Sequence, residues 1–152
     1  MATLVSTKQN TSGIYDAGNK RFARIIDVIV DLSTDAVMGT ATDDISLMTL
    51  AGGTMILSLT VQQISVSTGT GTLVGRAGAV TLTGTLASTD AINTYAATVP
   101  AALPYTVPAA GAQLNLLGAT AVRTTGKVRV VAVLLAGDVS PRESVVATRD
   151  AI

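Results

Sequence analysis

The 152-residue chain contains no cysteine, no histidine and no tryptophan. The missing cysteines exclude disulfides, thiolate nucleophiles and Cys-based metal sites, and they leave the redox compartment undetermined. Without histidine there is no Ser-His-Asp triad and no imidazole ligand. Aromatic residues are 3% of the chain, and Glu143 is its single glutamate. Ten basic residues balance ten acidic ones. A formal charge of zero offers no polycationic surface, so neither nucleic acid nor an anionic membrane is an expected partner. No segment reaches the roughly 18 uninterrupted apolar residues of a spanning helix. Met1–Gly13 is polar with Lys8 as its only basic side chain, so no secretory leader is expected.

What the chain does have is threonine, 23 residues of it, with 14 glycines and a 48% share of hydrophobic residues. Thr, Val and Ile are stiff at χ1 and fit a pleated surface, which favours sheet over helix. The length suits one domain able to bury a core without metal or disulfide staples. Only 13% of residues are charged. So few charges on so apolar a chain point to surface hidden in partners.

The organising stretch is Asp44–Ser67, two alternating apolar runs that meet at Ala51-Gly52-Gly53-Thr54. Consecutive glycines between such runs signal a hairpin or a tight corner. In the first run Ile45 and Leu47 share a face, and in the second Leu57, Leu59 and Val61 share one. Ile64 and Val66 change parity, which places a bulge or corner at Gln62-Gln63.

Upstream, residues 1–19 read as an extended arm or weak edge strand, followed by the cationic cluster Lys20, Arg21 and Arg24. From Phe22 to Leu32, the residues Ile26, Val28, Val30 and Leu32 alternate with Ile25, Asp27, Ile29 and Asp31, the polar side to which Arg24 is assigned. A strand with one buried face fits this pattern, and a helix bringing Asp27 and Asp31 together at i,i+4 competes with it. Ser33–Asp43 reads as a loop or short helical turn.

Downstream, Val80, Leu82 and Leu86 alternate with Thr81, Thr83 and Thr85, whose row is expected on the solvated side of an antiparallel sheet. Ser88–Val107 breaks the rhythm, and with Pro100 and Pro104 it reads as a long ordered loop. Tyr95 and Tyr105 sit in it, as contact anchors or as a cover for the end of the core. Leu114 and Leu116 mark another strand. Lys127–Ala136 is apolar on both parities beyond Arg129, which suits the middle of a sandwich or a subunit contact. Residues 139–152 form a polar tail around a short apolar run.

Chemistry is scarce. The pairs Asp43-Asp44 and Asp27/Asp31 would need a desolvating cleft to act as acid and base, and they lie at strand starts or on polar parities. Asp35, Asp43 and Asp44 could offer calcium oxygen ligands from one loop, but their spacing matches no EF-hand. The Gly69-Thr70-Gly71 and Gly75-Arg76-Ala77-Gly78 pieces lack the Lys-Ser/Thr ending of a phosphate loop. No catalytic, cofactor or metal residue is assigned.

The order of Asp44-Ile45-x-Leu47-Met48-x-Leu50-Ala51-Gly52-Gly53-Thr54, an alternating strand, Ser67-Thr68-Gly69-Thr70-Gly71, a strand ending in Gly75, a Pro/Tyr loop, a Leu-x-Leu strand and Gly126-Lys127-Val128-Arg129-Val130 resembles small decoration, cement or head-fibre proteins of tailed bacteriophages. The likeness covers roughly Asp43–Asp138. It implies an all-β, antiparallel, jelly-roll-like β-sandwich over residues 20–138, with an N-terminal arm (1–19) and a C-terminal tail (139–152). It also implies a non-enzymatic virion protein without cofactors, placed on the capsid surface after assembly in the host cytoplasm. Its partners would be further copies of itself, a trimer being favoured, and the major capsid protein. Expected contacts are Lys20, Arg21, Arg24, Tyr95 and Tyr105. The rivals are a carbohydrate-binding β-sandwich and a phage tail or adaptor subunit.

Overall fold

The computed structural model describes residues 3–5, 10–16, 21–34, 43–97, 99–119 and 123–135. These form ten strands: β1 (Thr3–Val5), β2 (Asn10–Asp16), β3 (Arg21–Asp31), β4 (Asp44–Leu50), β5 (Met55–Gln63), β6 (Thr72–Ala77), β7 (Val80–Ala87), β8 (Tyr105–Thr106), β9 (Ala112–Ala119) and β10 (Lys127–Leu135), with one 3-10 turn at Pro100–Ala102. Two five-stranded sheets result, in the orders β1-β4-β9-β6-β7 and β2-β3-β10-β5-β8. All pairs are antiparallel except β1 with β4. The chain is an all-β sandwich.

The pairs are nested. β6 pairs β7, and around that hairpin β5 pairs β8, β4 pairs β9 and β3 pairs β10. Successive pairs alternate between the two sheets, so a double ribbon crosses from one layer to the other at each corner. Ala51–Thr54 is one such corner and not a hairpin turn, since β4 and β5 lie in different sheets. Gly53 has φ 82°. A Cβ on Gly52 would stand 2.4 Å from the Ala109 carbonyl oxygen. The second ribbon strand turns alongside: Gly53 N–H donates to the Val107 oxygen (2.9 Å) and Val107 N–H to the Thr54 oxygen (2.8 Å).

Alternation decides burial where the ladders are regular. Ile26, Val28, Val30 and Leu32 are fully buried, as are Val128 and Val130 on the central strand β10. The strand reading of 22–32 therefore holds over the helical one. β10, apolar on both sides, sits between β3 and β5.

Bulges overturn the expected faces elsewhere. The β5/β10 register slips opposite Val133/Leu134, which pair with Ser58 and Ile56. Leu57 is the extra residue and turns outward at 42% exposure, while Ile56 and Leu59 are buried. The parity change thus falls at Leu57 and not at Gln62-Gln63. Val66, expected with the core, is 70% exposed. In β6/β7 the slip lies opposite Gly75, whose N–H donates to Thr83 Oγ1 at 2.8 Å. Thr83 is buried, which breaks the expected solvated threonine row.

Residues 88–97 tie the edges of both sheets together. On β7, Ala87 N–H donates to Asp90 Oδ2 (2.7 Å) and Gly84 N–H to the Ala97 oxygen (2.6 Å). On β5, Ala96 N–H donates to the Val61 oxygen (2.8 Å) and Gln63 N–H to the Thr94 oxygen (2.9 Å). The neighbours Ala96 and Ala97 thereby stitch one sheet to the other. Covering a strand edge in this way blocks pairing with a foreign strand.

In the stretch expected as an N-terminal arm, β1 and β2 lie as edge strands, one on each sheet. Residues 35–42, including Asp35, and the tail 139–152 lie outside the described residues.

Candidate interaction surface

The outer face of the β2-β3-β10-β5-β8 sheet is built from residues of the parity opposite to the core. Cross-strand partners place them in rows. Ile29, Arg129, Gln62 and Tyr95 form one row, Asp27, Val131 and Thr60 the next, and Ile25, Val133 and Ser58 the third. Side chains directly opposite one another sit about 5 Å apart and act as a unit. Ile29 and Leu57 are each 42% exposed and Tyr95 is 57% exposed. Gln62 Nε2 donates to Asn93 Oδ1 (3.1 Å), which ties the edge segment onto this face.

Polar groups on the face neutralise each other in place. Arg129 forms a two-pronged bond to Asp27, Nε to Oδ1 at 2.8 Å and a second through its terminal nitrogen to Oδ2. That fork lowers the Asp27 pKa, against a smaller opposing effect of burial, and raises that of Arg129. Asp31 accepts from the hydroxyl and N–H of Ser33, which lowers its pKa, with Lys127 Nζ 3.6 Å away. Both carboxyls are thus held ionised, the wrong direction for a general acid.

A pH dependence follows. A carboxyl with a depressed folded-state pKa contributes stability above its unfolded value, and that contribution is lost as pH falls through the folded pKa. Urea midpoints should therefore fall below about pH 4. Asp27→Asn should lower the neutral-pH midpoint modestly and flatten this acid limb. An acid limb identical in D27N and wild type would refute the assignment.

The sequence-derived contacts are scattered. Lys20 lies outside the described residues, and Arg21 opens β3 opposite Asp16. Arg24 shares a row with Leu134, Ile56 and Tyr105. That row has the parity of the core, so Arg24 is partly buried at one end of the sandwich and not on the polar side. Tyr105 packs against the core. Of Arg24, Tyr95 and Tyr105, whose burial is described, Tyr95 is the one on the outer face.

Two polar clusters escaped the sequence reading. Arg123 is fully buried and donates to the Leu86 oxygen (3.2 Å), Gln63 Oε1 (2.8 Å) and Ser67 Oγ (2.7 Å). It joins β7 of one sheet to β5 of the other, and burial pushes its pKa down to about 10 against the opposing charge of Asp90. On the outer face of the other sheet, Asn115 Nδ2 donates to Asp44 Oδ2 (2.7 Å), and Asp44 Oδ1 and Asn115 Oδ1 are buried without a partner. Among the described residues no group of three or more acidic side chains could hold a metal ion. Asp43 is buried beside the start of β4.

No protein-family model, curated protein or solved structure matches the chain.

Proposed function

We propose that this chain is a non-enzymatic structural protein of a phage virion, which decorates or cements the capsid as a homo-oligomer bound to the major capsid lattice. The observation that carries the reading is the outer sheet face: it keeps Ile29 and Leu57 exposed and Val131 and Val133 half-buried beside them, while residues 88–97 cover the neighbouring β5 and β7 edges. A face of this kind suits burial against another protein, because interface cores are apolar and depleted in uncompensated charge. At about 25 cal/mol per Å², an apolar contact of about 1,500 Å² outweighs the entropy lost on docking.

The nested strand order supports a jelly-roll-like reading of the sandwich, since a rolled double ribbon generates that order. The trimer, the capsid-surface location and assembly in the host cytoplasm rest on the sequence resemblance. Carbohydrate binding has little to work with among the described side chains, where Tyr95 is the exposed aromatic.

The test is co-sedimentation of the purified protein with heads of the phage that encodes it, stripped of this protein. The reading expects saturable, stoichiometric binding, and electron microscopy of labelled particles places the label on heads. Absence of binding, or label confined to tails, overturns it.

A further inference from the structure

Among the described residues no element covers the outer face of the β2-β3-β10-β5-β8 sheet, yet its apolar positions Ile25, Ile29, Val131 and Val133 lie in neighbouring rows, with the bulged Leu57 turned out beside them. We infer that this face is where copies of the chain meet one another. The inference rests on the oligomeric reading above and names its surface.

Three observations single out a second copy as the occupant. First, the face is electrically self-compatible. Its described charges are two carboxylates and two cations, Asp27 with Arg129 and Asp31 with Lys127, each paired within the protomer. A net-neutral apolar patch meets an identical patch without the like-charge penalty that rejects wrong partners. Copies can also exchange these pairs across the contact.

Second, the footprint is of the right size. Nine residues each of β3, β10 and β5 and the seven of β2, at about 4.8 Å spacing and about 3.3 Å rise, cover about 540 Å². Two such faces bury about 1,100 Å² in total, above the roughly 1,000 Å² that a specific interface has to clear. Third, the β5 edge is less available than the face: β8 and residues 93–96 lie along it, so strand addition is hindered there.

The test compares masses by light scattering. Wild type should run at a small whole-number multiple of 15.3 kDa. Ile29→Glu with Leu57→Glu places two charges at already exposed positions on the face, so the fold tolerates them. Self-association of I29E/L57E should weaken by at least about 100-fold and the mass fall to that of one chain, with an unchanged circular dichroism spectrum. T81E/T85E, on the exposed side of β7 in the other sheet, should keep the wild-type mass.

A second readout uses the lack of cysteine in the chain. Leu57→Cys should crosslink between copies with a short bismaleimide, and Thr85→Cys should not. A wild-type monomer at high concentration, an I29E/L57E oligomer, or equal crosslinking at both sites overturns the inference. Head binding is scored in parallel: its loss in wild type defeats the virion reading without touching the mass result. An unaltered I29E/L57E mass defeats this inference while head binding stands.

Discussion

Gly126→Ala is expected to destabilise the protein by about 3–4 kcal/mol, seen as a lower urea midpoint with an unchanged slope. Gly126 has φ 97°, where an L side chain is strained by about 1–2 kcal/mol. A Cβ there would lie 2.1 Å from Ser67 Oγ and 3.0 Å from Ser67 Cα. Ser67 would have to move, and its hydroxyl accepts from Arg123 and from Gln63 Nε2. The backbone is also committed, because the Gly126 oxygen accepts from Leu32 N–H at 2.8 Å. Gly78→Ala separates strain from collision: φ is 57°, and the nearest atom to its Cβ would be 3.6 Å away. That variant should lose only about 1–2 kcal/mol. Equal losses at the two positions would refute the collision.

Arg123→Met should lower stability by about 2–3 kcal/mol at neutral pH. Truncation leaves the Leu86 oxygen, Gln63 Oε1 and Ser67 Oγ without this donor, at about 1–3 kcal/mol for each buried group left unsatisfied. Relief of a buried charge opposes that loss. Arg123→Lys should not restore stability, since one ammonium cannot reproduce a planar fork reaching three acceptors.

The pH dependence slopes the same way as that of the aspartates but in an alkaline window, and here the charged form is penalised by folding instead of favoured. A cation whose folded pKa is lowered to about 10 is penalised by burial at every pH below it. Between that value and its ordinary one the folded state holds fewer protons than the unfolded chain, so stability rises with pH. Wild type minus R123M, measured from pH 9 to 11.5, should therefore climb, and a falling difference would refute the assignment. G126A and R123M both break the Ser67 contact, so the double variant should cost less than the sum of its parts.

The sequence made regular ladders readable and left long-range choices dark. Ile26 to Leu32 and the doubly apolar β10 announce themselves through alternation, because burial there follows parity alone. Leu57 looks like Leu59 in the sequence, and only the slip against Val133/Leu134 turns it out. Gly52-Gly53 reads equally as hairpin or corner, since the deciding groups, Val107 and Ala109, lie more than fifty residues away. Gln63 is buried because Arg123 waits for it from a polar stretch with no periodicity. The interaction face was legible only as a surplus of apolar side chains in β10; its rows with Ile29, Gln62 and Tyr95 required the register.

The nesting of the ribbon bears on how the molecule comes into being. The β6–β7 turn is local, but Val30 finds Val128 only after about a hundred residues have been made. Such high contact order slows folding to milliseconds or seconds. Until its C-terminal strand emerges, the nascent chain exposes the flank of β3 to every neighbour, so synthesis rate and chaperone supply govern its yield.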